Sequence, residues 1–558
     1  MSVAAFAFRC ASALKQSAPR SSRFFSSSLM TGEALKICVV GSGPAGFYTV
    51  DKILKRFEGA EVDIVESLPT PFGLVRSGVA PDHQDTKNVM NQFSEIARNP
   101  RVQFFGNVTV GGQGGGGDSA DNNITTATSK TSSRSAAAAA AAVSLDELRS
   151  LYNAVVLAYG AQSDRRLGIP GEDLKPGVYP AREFVQWYNG HPSAASLQLP
   201  DFSSVTSVAI CGLGNVALDI ARVLLQPIER LAMSDAAEHA VAALRKSAVR
   251  DVHLLGRRGP AQAAFTPKEL RELLSMEGIQ VKIHPKECLD LSPACAAEVK
   301  GNRIKRRVVE VLEKAVGVGS DKAGDRTLHL HFLRSPIEIL HSEGSVSGVR
   351  LEHTALQVQE SASTSSGAGA PPPQKAGGTG LHSDLHAQLV LESIGYKSCP
   401  MEGAPFNSKV GIIPNQLGQV MEEHQSSNRQ GRDGTRGNTE TPFAEKSHVP
   451  VPGLFVCGWL KRGPSGIIGT NLVDAEQTVD TMVRSQGSFP KVGQRHGGGG
   501  GRQGLQALLK NRKIEVVDFK GWEKIDAEEV RRGSAVGKPR EKIVSVEEML
   551  EIAKKASC

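Results

Sequence analysis

Short runs rich in Val, Ile and Leu recur along the chain, at residues 37–40, 62–65, 155–157, 208–210, 252–255, 389–394 and 454–457. They end at glycines or acids, and several lead straight into helical periodicity. After the first run, Val50, Ile53, Leu54 and Phe57 fall at i, i+3, i+4 and i+7, one face of a helix that lies on a sheet. Apolar strands alternating with amphipathic helices predict βαβ units and parallel sheets covered on both faces. Four segments break the pattern: 111–142, 358–383, 421–447 and 488–505, rich in Gly, Ala, Ser or polar residues. Such compositions bury too little apolar area to offset chain entropy, so flexible surface insertions are expected there.

Two of the strand-to-helix turns carry a glycine pattern. In "VVGSGPAG", Gly41 permits the tight turn, Gly43 lets a pyrophosphate approach the backbone, and Gly46 allows close helix–strand contact. Pro44 and Ala45 open the helix, whose free N–H groups and positive dipole end favour phosphate. Glu66 closes the next strand, 20 residues after Gly46, where a carboxylate holds ribose hydroxyls. The second pattern is "CGLGNVALD", with Gly212, Leu213, Gly214, Asn215, Val216 and Ala217. Its following strand ends in Gly256-Arg257-Arg258 rather than an acid. Two guanidiniums suit a 2′-phosphate. Arg257 lies 40 residues beyond Ala217, and an Ala-rich helical stretch at 226–249 accounts for the added length. The unlike ribose partners assign FAD to the first cradle and NADP(H) to the second, the pairing of a flavin-dependent hydride and electron carrier.

Composition narrows the classes. The net charge of +7 is too small to argue for nucleic acid, although a local basic patch for an acidic partner is permitted. No apolar run is long enough for a transmembrane helix. The eight cysteines form no C-x-x-C, against a redox dithiol, a zinc ribbon and the usual iron–sulfur spacings. Cys38, Cys211 and Cys457 lie in apolar runs and are expected as buried hydrophobes. No metal-ligand set stands out. Residues 1–33 are rich in Ser and Arg, with the first acid at Glu33, the composition of an organellar transit peptide.

A third element follows in "VPGLFVCGWLKRGPSGIIGTNLVDAEQT": a strand, Gly458-Trp459, then a helix expected to open at Gly466, Ile467 and Ile468. A helix N-terminus there would face the flavin, and glycine-flanked Trp459 suits the side of a planar cofactor. With "PTPFGLVRSGVAPDHQDTKNV", "LLGRRGPAQAAFTPKELREL" and "ESIGYKSCP", these stretches resemble the adrenodoxin-reductase type of ferredoxin–NADP(+) reductase, in the glutathione-reductase-like superfamily. The resemblance runs from Lys36 to near Val544, outside the insertions.

The resemblance implies an α/β fold of two Rossmann-like domains, the NADP domain inserted in the FAD domain. FAD-domain parts at 34–164 and 398–558 would flank an NADP domain at 165–397. It implies FAD contacts from Ala45, Glu66, Leu74, Val108, Trp459, Gly466, Ile467 and Ile468. NADP(H) contacts would come from Leu213, Gly214, Asn215, Val216, Arg257, Arg258 and Glu269, with Gly466 near the nicotinamide. It also implies docking of an acidic [2Fe–2S] ferredoxin on Arg303, Lys305, Arg306 and Arg307, feeding cytochrome P450 or iron–sulfur and haem pathways. The location implied is the mitochondrial matrix, at most peripheral to the inner membrane.

Two positions depart from the family. The usual acidic pair after "YGA" is Gln162-Ser163-Asp164, and the usual glutamine of the second cradle is Leu213, which leaves only its backbone for phosphate. His83 is the best ionisable candidate beside the flavin, for orientation or proton buffering. Three other readings stay open at this point: a thioredoxin-reductase-like enzyme, which would need the absent C-x-x-C; a glutamate-synthase-type electron-input subunit, which would need an N-terminal cysteine-rich region; and a flavin-binding scaffold without turnover.

Overall fold

The alternation of strands and helices builds two separate sheets, one parallel throughout and one parallel except at a single edge, where one strand pairs antiparallel with its neighbours. The computed structural model describes residues 34–111, 142–318, 324–358, 374–424, 447–492 and 499–555, and Leu35–Cys558 forms one unit. The chain begins with β1 (Lys36–Val40), β2 (Glu61–Val65), β3 (Val102–Phe105) and β4 (Ala154–Leu157). After the short β5 (Ser163–Asp164) come β6 (Val178–Pro180), β7 (Ser207–Cys211), β8 (Asp251–Leu255), β9 (Ile279–His284) and β10 (Arg326–His331). Then follow β11 (Arg334–Ser342), β12 (Ser345–Val358), β13 (Gln374–His386), β14 (Leu389–Glu392) and β15 (Tyr396–Lys397). The last strands are β16 (Asn415–Gln416), β17 (Gln419–His424) and β18 (Ser447–Val456).

The first sheet has the order β16-β17-β18-β4-β1-β2-β3 and the second β6-β14-β7-β8-β10-β9. The second sheet is drawn wholly from residues 178–392, between the two portions of the first, so one dinucleotide-binding domain is inserted in the other. β11, β12 and β13 form an antiparallel sheet of their own, and β5 pairs antiparallel with β15.

Alternate residues of each central strand feed opposite cores. Ile37 and Val39 pack with Phe47, Phe93 and Val156, whereas Cys38 and Val40 pack with Val155 and Leu157. In the second sheet Val208 and Ile210 face the helices, while Ala209 and Cys211 face the three-stranded sheet. Both faces are therefore covered, as the runs of Val, Ile and Leu require. Cys38, Cys211 and Cys457 are buried free thiols.

Three of the four segments expected as insertions contain regular structure. Residues 374–383 belong to β13, which pairs with β12 from Gln374↔Val358 to His386↔Gly348. Backbone pairing to an existing strand overrides the Gly-rich composition. Likewise β17 reaches His424, β18 starts at Ser447, and Arg502–Asn511 is a helix. Nearly all of 111–142, and the centres of the other three segments, lie outside the described residues.

A buried ionic network joins segments far apart in sequence. Asp235 accepts from the Lys87 ammonium at 2.6 and 2.8 Å, and the Lys542 ammonium is 3.2 Å away. Nearby, Arg76 donates to Glu529 at 2.8 Å, and Glu529 also accepts from the Ile543 amide at 3.0 Å. Asp235 belongs to the second-sheet portion; Lys87 and Lys542 belong to segments on either side of it in the chain.

Candidate functional site

At the first cradle the helix Pro44–Arg56 starts immediately after Gly43. Three segments converge on this turn. A Cβ on Gly41 (φ 106°) would lie 2.6 Å from the Ala158 carbonyl oxygen. A Cβ on Gly73 would lie 3.1 Å from the Gly43 Cα. A Cβ on Gly458 (φ 71°) would lie 2.5 Å from the Ala45 Cβ. Leu74 and Trp459, the next residues, are thereby carried to the cradle. Gly46 has no room either, because a Cβ there would overlap the Gly41 carbonyl oxygen. Gly43 is the exception: a Cβ on it meets nothing within 4 Å. The space a pyrophosphate requires is open above that one residue.

Glu66 is already oriented at the cradle. One carboxylate oxygen accepts from the Ser42 amide (3.0 Å) and hydroxyl (2.7 Å), the other from the Ser67 hydroxyl (3.0 Å) and Leu68 amide (3.2 Å). The Val108 amide donates to the Glu66 carbonyl at 2.9 Å, placing buried Val108 beside it.

The second cradle repeats the geometry. A Cβ on Gly212 (φ 135°) would overlap the Ser393 carbonyl oxygen, whereas one on Gly214 meets nothing within 4 Å. The helix Asn215–Leu225 follows, carrying Val216 in its first turn. The loop is braced from outside: the Ala264 amide donates to the Leu213 carbonyl (2.9 Å) and the Thr266 amide to Asn215 Oδ1 (2.8 Å). Leu213 folds its side chain onto Gly256, occupying the space a Cβ would take there. The departure from glutamine therefore serves packing between the cradle and the Arg257–Arg258 turn. Both arginines are exposed, and neither side chain has a carboxylate partner among the described residues. Thr266 Oγ1 and Glu269 Oε2 are buried without a hydrogen-bond partner among the described residues. Buried polar atoms are seldom left so, and a ligand reaching this cradle would satisfy them.

His83 stands at the seam between the two portions. Its Nε2 is 3.0 Å from Glu272 Oε1 and its Nδ1 3.9 Å from Asp219 Oδ1. The preceding Asp82 accepts two bonds from Arg222, at 2.7 and 2.9 Å. Burial raises the Asp82 carboxyl, but the Arg222 bonds outweigh it and hold the group below its usual value. Glu272, Asp219 and Arg222 escaped the sequence reading. Glu272 lies in the quoted "PKELREL", yet nothing local marks it as the partner of a residue 189 positions away.

The third element differs from expectation at one point. The helix begins at Thr470, so exposed Gly466 and Ile467 and half-buried Ile468 form a turn before it. Gly466 has φ 85°, and Thr470 Oγ1 accepts from the Ile467 amide at 3.1 Å, which delays the helix start. Trp459 is half-buried, donates from Nε1 to the Ser465 carbonyl (3.1 Å), and stacks on Tyr396 at 5.3 Å and 28°. Tyr396, also unforeseen, belongs to β15, opposite Asp164. Asp164 itself accepts from Arg182 Nε at 2.8 Å.

The basic group lies at the start of the helix Arg303–Val318. Arg303, Arg306 and Arg307 are exposed, whereas Lys305 is tied to Glu298 and half-buried.

Residues 35–322 match the family model for pyridine nucleotide-disulphide oxidoreductases. A mitochondrial NADPH:adrenodoxin oxidoreductase of Arabidopsis thaliana is 46% identical, over 95% of this chain and 98% of that one. The protein of the same name in Homo sapiens is 41% identical, over 93% and 91%. The chain belongs to the NADPH:adrenodoxin oxidoreductase family. Mycobacterium tuberculosis FprA in complex with NADPH superimposes with a TM-score of 0.75 at 36% identity, covering 93% of this chain and 99% of that one. As a member of this family the chain is an oxidoreductase with FAD and NADP(H) as cofactors, and both cradles fit them. Among the described residues no helix is long and apolar enough to cross a membrane.

Proposed function

We propose that the chain takes a hydride from NADPH onto FAD and passes electrons singly to an acidic [2Fe–2S] ferredoxin in mitochondria, supplying cytochrome P450 or iron–sulfur and haem pathways. Residues 1–33 fit an import signal in composition. The observation that carries the reading is the pair of cradles, each open over a single glycine, with a held carboxylate beside one and, beside the other, two guanidiniums without a carboxylate partner among the described residues.

When bound, the two dinucleotides supply the hydride and electron transfer. The chain binds and orients. Gly43, Pro44 and the amides beyond would hold the FAD pyrophosphate, and Glu66 the adenosine ribose, with Leu74 and Val108 alongside. A carboxylate has about four acceptor sites and Glu66 already fills four, so ribose hydroxyls would take the places of the Ser42 and Ser67 hydroxyls, which can rotate away, while the Ser42 and Leu68 amides keep the carboxylate oriented. Gly214, Asn215 and Val216 would cradle NADP(H), with Arg257 and Arg258 on its 2′-phosphate. Trp459, Gly466, Ile467 and Ile468 would border the redox centre. His83, held by Glu272, would orient the flavin end of the site or buffer its protons. The FAD domain then comprises residues 34–164 and 398–558, and the NADP domain 165–397.

Arg257→Ala with Arg258→Ala lowers the NADPH-over-NADH preference by at least roughly 100-fold, since each lost charge-assisted bond costs about 1.5–3 kcal/mol. Steady-state kinetics with both coenzymes measures it, and unchanged discrimination removes the 2′-phosphate assignment. The function itself is tested by NADPH-driven cytochrome c reduction with and without a mitochondrial ferredoxin. Replacing Arg303, Arg306 and Arg307 by Ala slows the ferredoxin-dependent rate severalfold, most at low salt, and spares ferricyanide reduction. Equal loss in both assays rejects docking on that helix; no ferredoxin dependence in the wild type rejects the partner.

A further inference from the structure

The second sheet carries a feature that dinucleotide binding leaves unused. On β8, β9 and β10 the side chains facing the helices are apolar: Val252, Leu254, Ile283, Leu328 and Leu330. On the opposite face stand four histidines. His329 is in register with His253 of β8, and His331 with His284 of β9. The two pairs are adjacent because residues two apart on a strand share a face. Parallel sheets normally fill such positions with Val, Ile or Leu.

The rings are close together. His253 Nδ1 is 3.0 Å from His331 Nε2, and His284 Nε2 is 3.2 Å from His329 Nδ1. One potential ligand nitrogen from each of His253, His329 and His331 lies within 4.8 Å of the other two. Tetrahedral ligation at 2.0–2.1 Å brings such nitrogens to about 3.3 Å, so the set closes when the rings, now stacked with His253 and His329 centroids 4.2 Å apart at 24°, turn out of parallel towards a common point.

We propose that His253, His329 and His331 bind one divalent transition-metal ion, with His284 as the adjoining imidazole.

Asp251 supports the assignment. Its Oδ1 is 3.0 Å from His329 Nε2, so the ring donates from Nε2–H to the carboxylate and presents the Nδ1 lone pair towards the cluster. This carboxylate–histidine pairing is the usual outer support of a ligating imidazole. The surrounding charge selects the ion. Lys282, Lys286 and Arg334 bring positive charge to His284, and His386 acts on His253 from the end of β13. A hard cation held by charge alone is disfavoured there. Zinc, cobalt or nickel, bound through strong bonds to neutral imidazole, is favoured. Lys282 is exposed on the same face, so the cluster lies near an open edge.

The test uses tag-free, FAD-loaded protein freed of metal by chelation and titrated with Zn²⁺ alone. One equivalent is expected to bind. His329→Gln and His331→Gln each weaken binding more than about tenfold, and Asp251→Asn about 10- to 100-fold. His341→Gln, exposed at the end of β11, leaves it unchanged. X-ray absorption of the wild-type complex gives imidazole nitrogens at about 2.0–2.1 Å, which decides the matter even if a variant does not fold. No stoichiometric binding, a first shell without imidazole, or affinity unchanged in both histidine variants overturns the proposal.

Discussion

Gly43→Val yields a folded protein without flavin. The backbone at Gly43 (φ −77°, ψ −173°) is open to any residue, and a Cβ there meets no protein atom within 4 Å. The substitution therefore leaves the fold alone and fills only the space over the helix N-terminus. A branched side chain there excludes the pyrophosphate and blocks the amides that would bind it. The purified variant is expected to lack flavin absorbance, to show wild-type circular dichroism, and to bind NADP+ still at the second cradle. NADPH–ferricyanide activity falls to background. Gly46→Val is the contrasting control, because its Cβ overlaps the Gly41 carbonyl oxygen and the helix can no longer seat on β1. That variant is lost to misfolding. A Gly43→Val protein with full flavin content contradicts the first cradle's assignment.

Asp235→Leu unfolds the protein far more readily than any surface change. Its carboxylate is 1% exposed, and the two lysines it serves are 2% exposed. Removing it strands two buried ammonium groups, which costs about 3–5 kcal/mol. Flavin fluorescence during heating reads the loss, since FAD is released on unfolding. Replacing Lys87 and Lys542 by Met in the same chain recovers most of it, because an apolar triad has no charge to desolvate. Wild-type melting of Asp235→Leu alone would reject the network as a clamp. The acid side follows in sign. Burial raises the Asp235 carboxyl, but Lys542 and Lys87 outweigh it and hold it at about 2. The stabilisation is full above the ordinary carboxylate value, about 3.9, and disappears as pH falls through about 2.

What the sequence reveals follows the range of the forces involved. Both cradles are local, a strand, a turn and a helix within about twenty residues, so glycine placement and periodicity are enough to find them. The seven runs of Val, Ile and Leu correspond to β1, β2, β4, β7, β8, β14 and β18. β9 and β10 escaped because histidines and a lysine interrupt their apolar pattern. β13 escaped because its stability lies in pairing with β12 rather than in its own side chains. Glu272 and Tyr396 acquire meaning only from His83 and Trp459, which tertiary folding brings to them. The late start of the helix at Thr470 depends on one side-chain bond that periodicity does not encode.

The pairing of β5 with β15 has a mechanical consequence. The chain leaves the first sheet after β4 and returns to it at β16, and the two crossings are hydrogen-bonded to each other as Asp164↔Tyr396 and Ser163↔Lys397. The only covalent links between the inserted portion and the first sheet therefore run as a single ribbon two residues long, not as two independent tethers. That ribbon lies against Trp459 through its stacked neighbour Tyr396, so the crossing and the third element share one ring stack. The Lys87–Asp235–Lys542 cluster ties the same two portions together a second time, without covalent bonds.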